Sequence, residues 1–569
     1  MNHELIDRLR EDLSAARYRV DVLDALWGPA AAEALFRGRR QPAERALAAR
    51  REAPDAADRA QPVESLARLF LLGLPVASAD LDAALPRLGT EGARTLGIVG
   101  DAPSGQGAVR ALLDLRPYSF VDAQGAGSWW ILSDLGEDVL GHALGEDHVL
   151  GIGGASTTLS GLMIPRPVDS VLDLGTGCGI QALHAARHAR RVVATDISRR
   201  ALWMAEFNAH LNGVTGIEFR HGSLFEPVAG ERFDRIVSNP PFVITPRVPG
   251  VPQYEYRDGG LVGDALVETV MRQAGEHLAP GGIAQLLGNW EYRAAPTAAA
   301  PARVADGLER VRGWVEDGGD GGAGDGGAGD RGDGGAGDAA TLDGASLDAW
   351  VIERERQDAP RYAETWIRDG GTRPGTAEFD ALYTAWLDDF DARGVREVGF
   401  GYILLRRPAA VGAKAQASAT PAAASAAGVP TLARYERVES ALGSNPVGLG
   451  DHLAACLAGH DWQVHRDDAE LLRSTLVYAS DVTEERHYWP GQDDPVVMTL
   501  RQGGGFGRSV PLDTALAAFV GACDGDLSVR ALCGALAQVL SVDETALVAD
   551  LLPAARALLA DAILLPARA

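Results

Sequence analysis

Three short segments in the middle of the chain have residue types and spacings that suit ligand binding and catalysis. The first is Asp173-Leu-Gly-Thr-Gly-Cys-Gly179, which lies between a strand-like run and a helical run. Gly175, Gly177 and Gly179 have no side chains that would keep a ligand away from the backbone. A dinucleotide-binding fingerprint would require a glycine where Ile180 stands, and no Gly-Lys-[Ser/Thr] of a phosphate loop follows. The segment therefore predicts a ligand-binding turn of another kind.

The second segment lies downstream of that turn and covers the ends of two strand-like runs. The first run ends in an acidic residue, and a polar residue follows the second. Asp196 ends the strand-like run 191–195, and a carboxylate at this place can accept hydrogen bonds from both hydroxyls of a ribose. The glycine turn and Asp196 together favour an adenosine-containing cofactor. After the next run, Ser223 can bind the exocyclic amine of an adenine and Leu224 can pack on its ring. A plain turn followed by a core leucine explains Ser223 and Leu224 equally well.

The third segment is Asn239-Pro-Pro-Phe242, which follows the strand-like run 233–238. Ligands bind at the carboxyl ends of strands in open α/β sheets. Consecutive prolines cannot continue a strand ladder, and they stiffen the loop. A stiff loop would hold the side-chain carbonyl of Asn239 and the main-chain carbonyl of Pro240 as acceptors for a substrate N–H. Phe242 can stack on a planar group and exclude water.

With these motifs, residues 171–242 resemble the class I S-adenosylmethionine-dependent methyltransferases that carry an [Asn/Asp]-Pro-Pro-[Tyr/Phe] sequence. The nearest branches are the HemK/PrmC-type glutamine methyltransferases and the "small-domain" ribosomal RNA guanine-N2 methyltransferases. The resemblance implies an enzyme that uses S-adenosylmethionine to methylate a planar nitrogen. It implies two groups of site residues: catalytic Asn239, Pro240, Pro241 and Phe242, and cofactor-binding Asp173, Gly175, Thr176, Gly177, Gly179, Asp196, Ile197, Ser223, Leu224 and Asn239.

The methyl acceptor is less sharply indicated than the reaction. Tyr256-Arg-Asp-Gly-Gly-Leu-Val-Gly263 is similar to a glycine-rich turn of the HemK-related branch, which favours the side-chain amide of a protein glutamine. Phe242 stands where HemK-type enzymes usually have tyrosine and is commoner in the RNA branch, although Val243 replaces the histidine that often follows there. The alternative acceptor is therefore an RNA or DNA base, at guanine N2 or adenine N6. A third hypothesis is a non-catalytic cofactor-binding module.

The elements around these motifs predict an α/β domain over residues 151–408. Strand-like and helical runs alternate there, which is typical of a parallel sheet covered on both faces. The resemblance implies a Rossmann-like sheet of seven strands. Its fifth strand is expected at Ile283–Leu287, after a turn at Leu278–Gly282, and the last two near Ala349–Arg354 and Glu397–Leu405.

The flanking regions predict further folded units and two segments of low complexity. Residues 1–150 are expected to be mainly helical and winged-helix-like, with a hairpin turn at residues 122–127. Residues 431–569 are expected to form an α+β domain, for which a winged-helix-like fold is one interpretation. A Gly/Asp-rich stretch at about 317–345 predicts a flexible insertion, and the Ala/Ser/Pro-rich residues 409–430 predict a linker.

Two motifs of the last domain stand apart from the predicted site. His487-Tyr-Trp489 is most simply a packed aromatic patch. The glycine-rich run from Gly503 to Gly507 is most simply a flexible turn.

Composition narrows the possible environment and partners. The chain has 569 residues, enough for more than one core, and a formal charge of −25, which disfavours a broad nucleic-acid footprint. Its four cysteines show no metal-binding or disulfide spacing, so no metal is expected and a reducing compartment fits best. No signal peptide and no apolar run of about 20 residues is seen, which predicts a soluble, cytoplasmic protein without a membrane partner.

Overall fold

The computed structural model describes residues 1–52, 61–103, 107–140, 144–294, 304–316, 347–408 and 431–567. The chain divides into two compact units, Met1–Ser160 with Pro167–Glu436 and Gly161–Arg166 with Arg437–Ala569. The expected insertion at about 317–345 and the expected linker at 409–430 lie outside the described residues. The domain boundaries at residues 150 and 408 stay predictions.

The first part of the larger unit is mainly helical and ends in two small antiparallel sheets. Its helices are α1 His3–Ala15, α2 Val20–Trp27, α3 Pro29–Phe36, α4 Gln41–Glu52, α5 Pro62–Leu66 with a π-helical turn at Ala67–Leu71, α6 Ser78–Ala84 and α7 Gly89–Thr95. Strands β1 Val76–Ala77, β2 Val99–Asp101 and β3 Ala108–Ala111 pair in the order β1-β3-β2. Strands β4 Asp114–Asp122 and β5 Gly125–Ser133 form the expected hairpin. The winged-helix interpretation stays a prediction.

The larger unit is built around an eight-stranded, mainly parallel sheet. Its strands are β6 Val168–Leu174, β7 Ala189–Asp196, β8 Ile217–His221, β9 Phe233–Ser238, β10 Leu278–Arg293, β11 Asp348–Asp358, β12 Val395–Arg406 and β13 Ala433–Arg437. They lie in the order β13-β11-β12-β10-β9-β6-β7-β8. Strands β6 to β10 pair in parallel, whereas β12 runs antiparallel to β10 and β11. This confirms the predicted α/β class.

The expected count of seven strands is wrong by one. Strand β13 adds to the edge of the sheet beside β11, where the Ala349 N–H donates to Leu432 O at 2.8 Å. The buried carboxylate of Asp348 secures this junction, because its Oδ1 accepts from the backbone N–H groups of Thr431 and Leu432 at 2.7 and 2.9 Å. An added strand satisfies backbone groups that an open sheet edge would leave unpaired. The strand count expected from the sequence motifs covers residues 151–408 and therefore does not include β13.

The observed strand ends also differ from the expected ones. Strand β10 includes the predicted turn, because the chain bulges between Leu278 and Ile283 without leaving the sheet. A side chain at Gly282 would have its Cβ 2.8 Å from the carbonyl oxygen of Phe233 on the neighbouring strand. The last two strands contain the predicted ranges and extend beyond them.

Helices cover both faces of the sheet, as the alternation of elements predicts. They are α8 Glu137–Leu140, α9 Gly154–Leu162, α10 Ile180–Ala185, α11 Arg199–Leu211, α12 Glu255–Asp258, α13 Ala265–Ala274, α14 Gly307–Glu316, α15 Ala359–Asp369 and α16 Ala377–Arg393. One apolar core joins α10 and α11 to the N-terminal helices and the hairpin. A second core joins the sheet to α13 and α14, and a third forms around α15 and α16.

The second unit is an α+β domain with two three-stranded sheets. Its helices are α17 Gly450–Val464, α18 Asp468–Arg473, α19 Thr514–Gly521, α20 Val529–Leu540 and α21 Glu544–Ala560. Its strands are β14 Thr475–Tyr478, β15 Val482–His487, β16 Val497–Gln502, β17 Ser509–Leu512, β18 Asp524–Ser528 and β19 Leu564–Pro566. They pair in the orders β18-β14-β19 and β15-β16-β17.

Both sequence motifs of this unit behave differently from the expectation. Gly503–Gly507 is held rather than free: Gly505 N–H donates to Asn445 Oδ1 at 2.9 Å, Ser444 N–H donates to the Gly503 carbonyl at 2.8 Å, and Phe506 is fully buried. Trp489 is not packed, since 62% of its surface is exposed.

Other general features concern cysteines, metals and membranes. All four cysteines are buried free thiols. Across the described ranges, no cluster of three or more histidine, cysteine, aspartate or glutamate side chains has a metal-binding arrangement. None of the helices in these ranges combines the length and apolar character needed to cross a bilayer.

Helix α11 ties the hairpin to the glycine turn through one buried side chain. The Asn208 amide nitrogen donates to the carbonyl oxygens of Leu132 and Cys178, each at 2.9 Å, and its Oδ1 accepts from the Leu132 N–H at 2.7 Å. Asn208 is fully buried. Through these three hydrogen bonds, Asn208 joins the helix to the hairpin at Leu132 and to the glycine turn at Cys178.

We expect Asn208→Ala to lower the free energy of unfolding of the larger unit by about 3 kcal/mol, because it leaves buried backbone groups unpaired. Chemical denaturation followed by circular dichroism measures this change. Glu206→Ala, on the exposed face of the same helix, is the matched control and should change stability by no more than about 0.5 kcal/mol. Equal effects of the two substitutions would contradict the structural role of Asn208.

Candidate active site

The predicted site residues come together at the carboxyl ends of four neighbouring parallel strands. Leu174 at the end of β6 pairs in register with Thr195 of β7 on one side and with Ser238 of β9 on the other. The Ser238 hydroxyl donates to the Leu174 carbonyl at 2.7 Å. Asn239 therefore begins its loop directly beside Gly175, where the glycine turn begins.

The glycine turn depends on backbone conformations that favour glycine. Gly175, Gly177 and Gly179 all have positive φ, at 76°, 55° and 88°. A Cβ at Gly175 or Gly177 would point into open space, whereas a Cβ at Gly179 would lie 2.9 Å from Ala205 Cβ on α11. The first two glycines thus leave room beside the turn, and the third permits close packing of a helix.

Backbone hydrogen bonds fasten the turn to strand β7. The N–H groups of Gly175 and Thr176 both donate to the Thr195 carbonyl at 2.9 Å. The Thr176 hydroxyl is buried and donates to Asp173 Oδ2 at 2.6 Å. The Thr176 hydroxyl therefore faces the interior and positions Asp173, and the contact of Thr176 with a cofactor stays a prediction.

Asp173 is a fully buried carboxyl group at the base of the turn. Burial raises its pKa to about 7, although the hydrogen bond from Thr176 opposes this change. No described residue donates a hydrogen bond to its Oδ1. An unpaired buried acceptor is unusual in a folded protein, and a donor or a cation from a ligand would satisfy it.

Asp196 lies at the end of β7 and supports both neighbouring turns. Its Oδ2 accepts from the Gly177 N–H at 2.9 Å and its Oδ1 from the Ser198 N–H at 2.8 Å. Burial raises the pKa of this carboxyl group, and the backbone hydrogen bonds oppose the rise. Each carboxylate oxygen can still accept a second hydrogen bond. Beside it, the apolar side chain of Ile197 is 61% exposed.

The turn after β8 lies against Asp196. The Gly222 N–H donates to the backbone carbonyl of Asp196 at 3.1 Å, which brings Ser223 and Leu224 to the same edge of the sheet. Leu224 has a φ of 45°, a left-handed conformation that non-glycine residues rarely adopt. Such strain is found preferentially at functional sites.

The Asn239–Phe242 loop completes the group of segments. Asn239 Oδ1 is buried, and none of the residues described here donates a hydrogen bond to it. Phe242 is half-buried, with its ring 6.5 Å from that of Trp366 in an edge-to-face arrangement. The loop thus presents an unpaired acceptor beside an aromatic ring at a short distance along the sheet from the glycine turn.

Comparison with known proteins agrees with this arrangement. Residues 153–300 match the model of the methyltransferase small domain, and residues 15–112 match a domain of unknown function, DUF7059. The matched range contains every predicted site residue, from Asp173 to Phe242.

Individual relatives resemble the chain over the same region. A release factor glutamine methyltransferase of Xylella fastidiosa is 41% identical over 134 residues, which are 22% of this chain and 48% of the relative. A ribosomal protein uL3 glutamine methyltransferase of Bradyrhizobium diazoefficiens is 38% identical over 128 residues, 21% of this chain and 40% of the relative. The chain thus spans less than half the length of these curated relatives. A solved ribosomal protein L11 methylase of Lactobacillus delbrueckii is 24% identical, with 29% of this chain and 67% of that chain covered and a TM-score of 0.21.

A second layer of residues in the larger unit supports the Asn239 loop, and the sequence motifs did not indicate it. The Tyr362 hydroxyl on α15 accepts from the Ile244 N–H and from Asn289 Nδ2, each at 2.9 Å. Burial raises the pKa of Tyr362 far above its ordinary value, so the hydroxyl stays protonated. Asn289 Oδ1 is also buried and receives no hydrogen bond from the described part of the chain.

The Asp258-Gly-Gly turn supports the same loop from the other side. The buried carboxylate of Asp258 accepts from the Thr245 hydroxyl and the Tyr254 N–H, both at 2.6 Å. Gly259 has a φ of 53°, and a Cβ there would lie 2.8 Å from the Pro241 carbonyl oxygen. The sequence pattern indicated a glycine-rich turn, but not that it packs directly behind the two prolines.

A cavity of about 290 Å³ lies elsewhere in the larger unit, between the hairpin and residues 148–153. Its lining includes Arg116, Tyr118, Ser133, Asp134 and His148. It contains none of the predicted site residues. The candidate active site is therefore defined by the strand ends and not by this cavity.

We expect Gly259→Ala to loosen the Asn239 loop, because the added Cβ would collide with the Pro241 carbonyl. Hydrogen exchange of the Val243 amide, which donates to the Arg257 carbonyl at 2.8 Å, measures this effect. Gly260→Ala is a matched control: its φ of 78° carries a similar conformational cost, but its Cβ would meet nothing within 4 Å. Equal protection of Val243 in the two variants would show that the contact with Pro241 does not hold the loop.

We expect Asp173→Asn to gain stability relative to the wild type as pH rises from about 4 to 7. An acid whose folded-state pKa is raised binds its proton more tightly in the folded state, so the wild type loses stability as the group ionises. Because the pKa is about 7, the difference should level off above neutral pH, at on the order of 4 kcal/mol. Urea unfolding at pH 5 and pH 8 tests this, and a pH-independent difference would argue against the raised pKa.

Proposed function

We propose that this chain is an enzyme that transfers the methyl group of S-adenosylmethionine to the side-chain amide nitrogen of a glutamine in a protein. One observation carries the proposal: the unpaired acceptor Asn239 begins its loop beside the glycine turn, because β6 and β9 pair in register and the Ser238 hydroxyl joins them. The names of the relatives, which are glutamine methyltransferases of a release factor and a ribosomal protein, support the choice of acceptor.

The residues around the glycine turn fit this cofactor. S-adenosylmethionine supplies a methyl group bonded to a positively charged sulfur. The open space beside Gly175 and Gly177 would let the ligand approach the backbone, while Asp196 would accept hydrogen bonds from the ribose hydroxyls. Ile197, Ser223 and Leu224 would enclose the adenine. We assign the unpaired Oδ1 of Asp173 to the cationic end of the ligand.

Two of the predicted cofactor-binding residues receive a different role in this proposal. Thr176 orients Asp173 through its buried hydroxyl, and Gly179 permits the close packing of α11. Both are positioning residues. Asn239, predicted for both groups, is assigned here to the acceptor amide, and the remaining predicted residues keep their assignments.

The Asn239 loop would orient the acceptor amide. The lone pair of an amide nitrogen is delocalised, so the group is a poor nucleophile. Hydrogen bonds from its two N–H groups to Asn239 Oδ1 and to the Pro240 carbonyl would draw electron density toward nitrogen and fix its direction. Phe242 would stack on the planar amide, while Trp366 holds the ring from its edge. One amide hydrogen leaves as a proton when the methyl group is transferred.

The charge of the chain supports a protein acceptor over a nucleic acid. A formal charge of −25 repels a phosphate backbone at long range. A glutamine side chain carries no charge, and it extends far enough from its own backbone to enter a narrow site. The proposed partner is accordingly a protein with an accessible glutamine.

The direct test is transfer of a labelled methyl group from S-adenosylmethionine to proteins of a cell extract. We expect label that is sensitive to protease and resistant to nuclease, with a mass increase of one CH₂ on a glutamine. Label removed by nuclease and retained after protease would contradict the proposed acceptor. Failure of S-adenosylmethionine to bind in calorimetry would contradict the reaction as well.

We expect Asn239→Ala and Asp196→Ala to separate catalysis from cofactor binding. Asn239→Ala should reduce kcat by at least about 100-fold, since an interaction that orients the reacting group is lost, and should leave the Kd for S-adenosylmethionine nearly unchanged. Asp196→Ala should weaken the Kd by about 10-fold to 100-fold, because hydrogen bonds to a charged acceptor are worth about 1.5–3 kcal/mol. Calorimetry and the transfer assay measure the two quantities.

Each variant serves as the control for the other. The assignment of Asn239 fails if its substitution weakens cofactor binding as strongly as that of Asp196. The assignment of Asp196 fails if its removal leaves the Kd unchanged.

A further inference from the structure

The connection between β15 and β16 of the second unit presents an aromatic side chain on a well-defined turn. The Gln492 N–H donates to the Trp489 carbonyl at 3.0 Å, which closes the four-residue turn Trp489-Pro-Gly-Gln492. Proline at its second position and Gly491 with a φ of 79° at its third are the residues that a type II turn requires. The Val496 N–H donates to the His487 carbonyl at 2.8 Å and closes the base of the connection. Trp489 is therefore held in place by backbone hydrogen bonds.

The side chains on this turn are exposed although they are large and apolar. Trp489 is 62% exposed and Tyr488 is 49% exposed. Val496 and Val497 beside them are 48% and 51% exposed. Single exposed apolar residues are ordinary, but four of them within ten residues of the chain, on both sides of one hydrogen-bonded turn, favour an interaction surface. Tryptophan and tyrosine are also the residues that contribute most to binding energy at interfaces.

The charges around the turn are negative. Glu484 pairs with Arg486 and Glu485 pairs with Arg501, so these acids are neutralised. The exposed carboxylates of Asp493 and Asp494 remain, and neither forms an ion pair with a described residue. Residues 437–569 contain 18 acidic and nine basic residues and no lysine, so the surrounding unit has the same sign.

We propose that this surface, formed by Tyr488, Trp489, Asp493, Asp494 and Val496, binds a cationic segment of another protein. An arginine side chain can stack on the face of Trp489 and at the same time pair with a neighbouring carboxylate. The preformed turn lowers the entropy that association must overcome. The interaction is independent of the methyl transfer proposed above and does not involve its residues.

The same charges disfavour three other ligands for this surface, namely a nucleic acid, a membrane and a second copy of this unit. Single-stranded nucleic acid also stacks on exposed aromatics, but it needs a positively charged groove for its phosphates. An anionic membrane attracts basic residues and would repel Asp493 and Asp494. A second copy of this unit would bring like charges together. A cationic peptide meets both the aromatic rings and the carboxylates favourably.

The test measures binding of a fluorescently labelled oligo-arginine peptide to the full chain by anisotropy. We expect Trp489→Leu, which keeps an apolar side chain but removes the aromatic face, to weaken the Kd about 10-fold. Asp493→Asn with Asp494→Asn should weaken it by a similar factor and reduce its dependence on salt concentration. Phe36→Leu, at a 93% exposed aromatic residue of the other unit, is the matched control and should leave the Kd unchanged.

The substituted side chains are exposed, so the variants should keep the wild-type circular dichroism and unfolding midpoint. Unchanged Kd values in both the Trp489 and the Asp493/Asp494 variants would overturn the proposal, because the peptide would then bind elsewhere on the acidic surface. Tighter binding of single-stranded RNA or of phosphatidylglycerol vesicles than of the peptide would overturn it as well. An oligo-glutamate peptide of the same length should not bind.

Discussion

The parallel register between β6 and β9 is the constraint on which the candidate active site depends. Leu174 and Ser238 are paired, and the Ser238 hydroxyl donates to the Leu174 carbonyl. A shift by one residue would turn each side chain of β9 to the opposite face of the sheet, where it would meet packing partners of a different shape. Because β9 is buried on both faces, the sheet tolerates no such shift, and the position of Asn239 relative to the glycine turn follows from it.

The same edge of the sheet concentrates two partly or fully buried carboxyl groups, Asp173 and Asp196. Burial raises both pKa values, since ionisation without water is unfavourable. Backbone hydrogen bonds offset part of this cost at Asp196, but at Asp173 one oxygen has no partner among the described residues. A ligand that carries positive charge to this position would stabilise the ionised form. A sulfonium cofactor with an ammonium group matches that requirement.

Local motifs predicted the residues at the strand ends because each motif is continuous in the chain and directly follows its strand. The supporting layer could not be predicted in this way, since Tyr362 is 118 residues from Ile244, to which it is hydrogen-bonded. The added strand β13 and the exposure of Trp489 are likewise settled by tertiary pairing and by a turn that points away from the core. Periodicity indicates which residues are apolar, but not which surface remains uncovered.

Most of the buried polar groups that support the site are hydrogen-bonded, with the exception of Asn289 Oδ1, which has no donor among the described residues. Asp258 and the Tyr362 hydroxyl each accept at least two hydrogen bonds, and both are buried. Asn239 and Asp173, which face the junction of the strand ends, each retain a buried oxygen without a donor from the described chain. An unpaired buried acceptor costs about 1–3 kcal/mol, so it is retained where an external donor or cation can satisfy it. Unpaired acceptors held by hydrogen-bonded neighbours such as Asp258 and Tyr362 are the arrangement expected of a preorganised binding site.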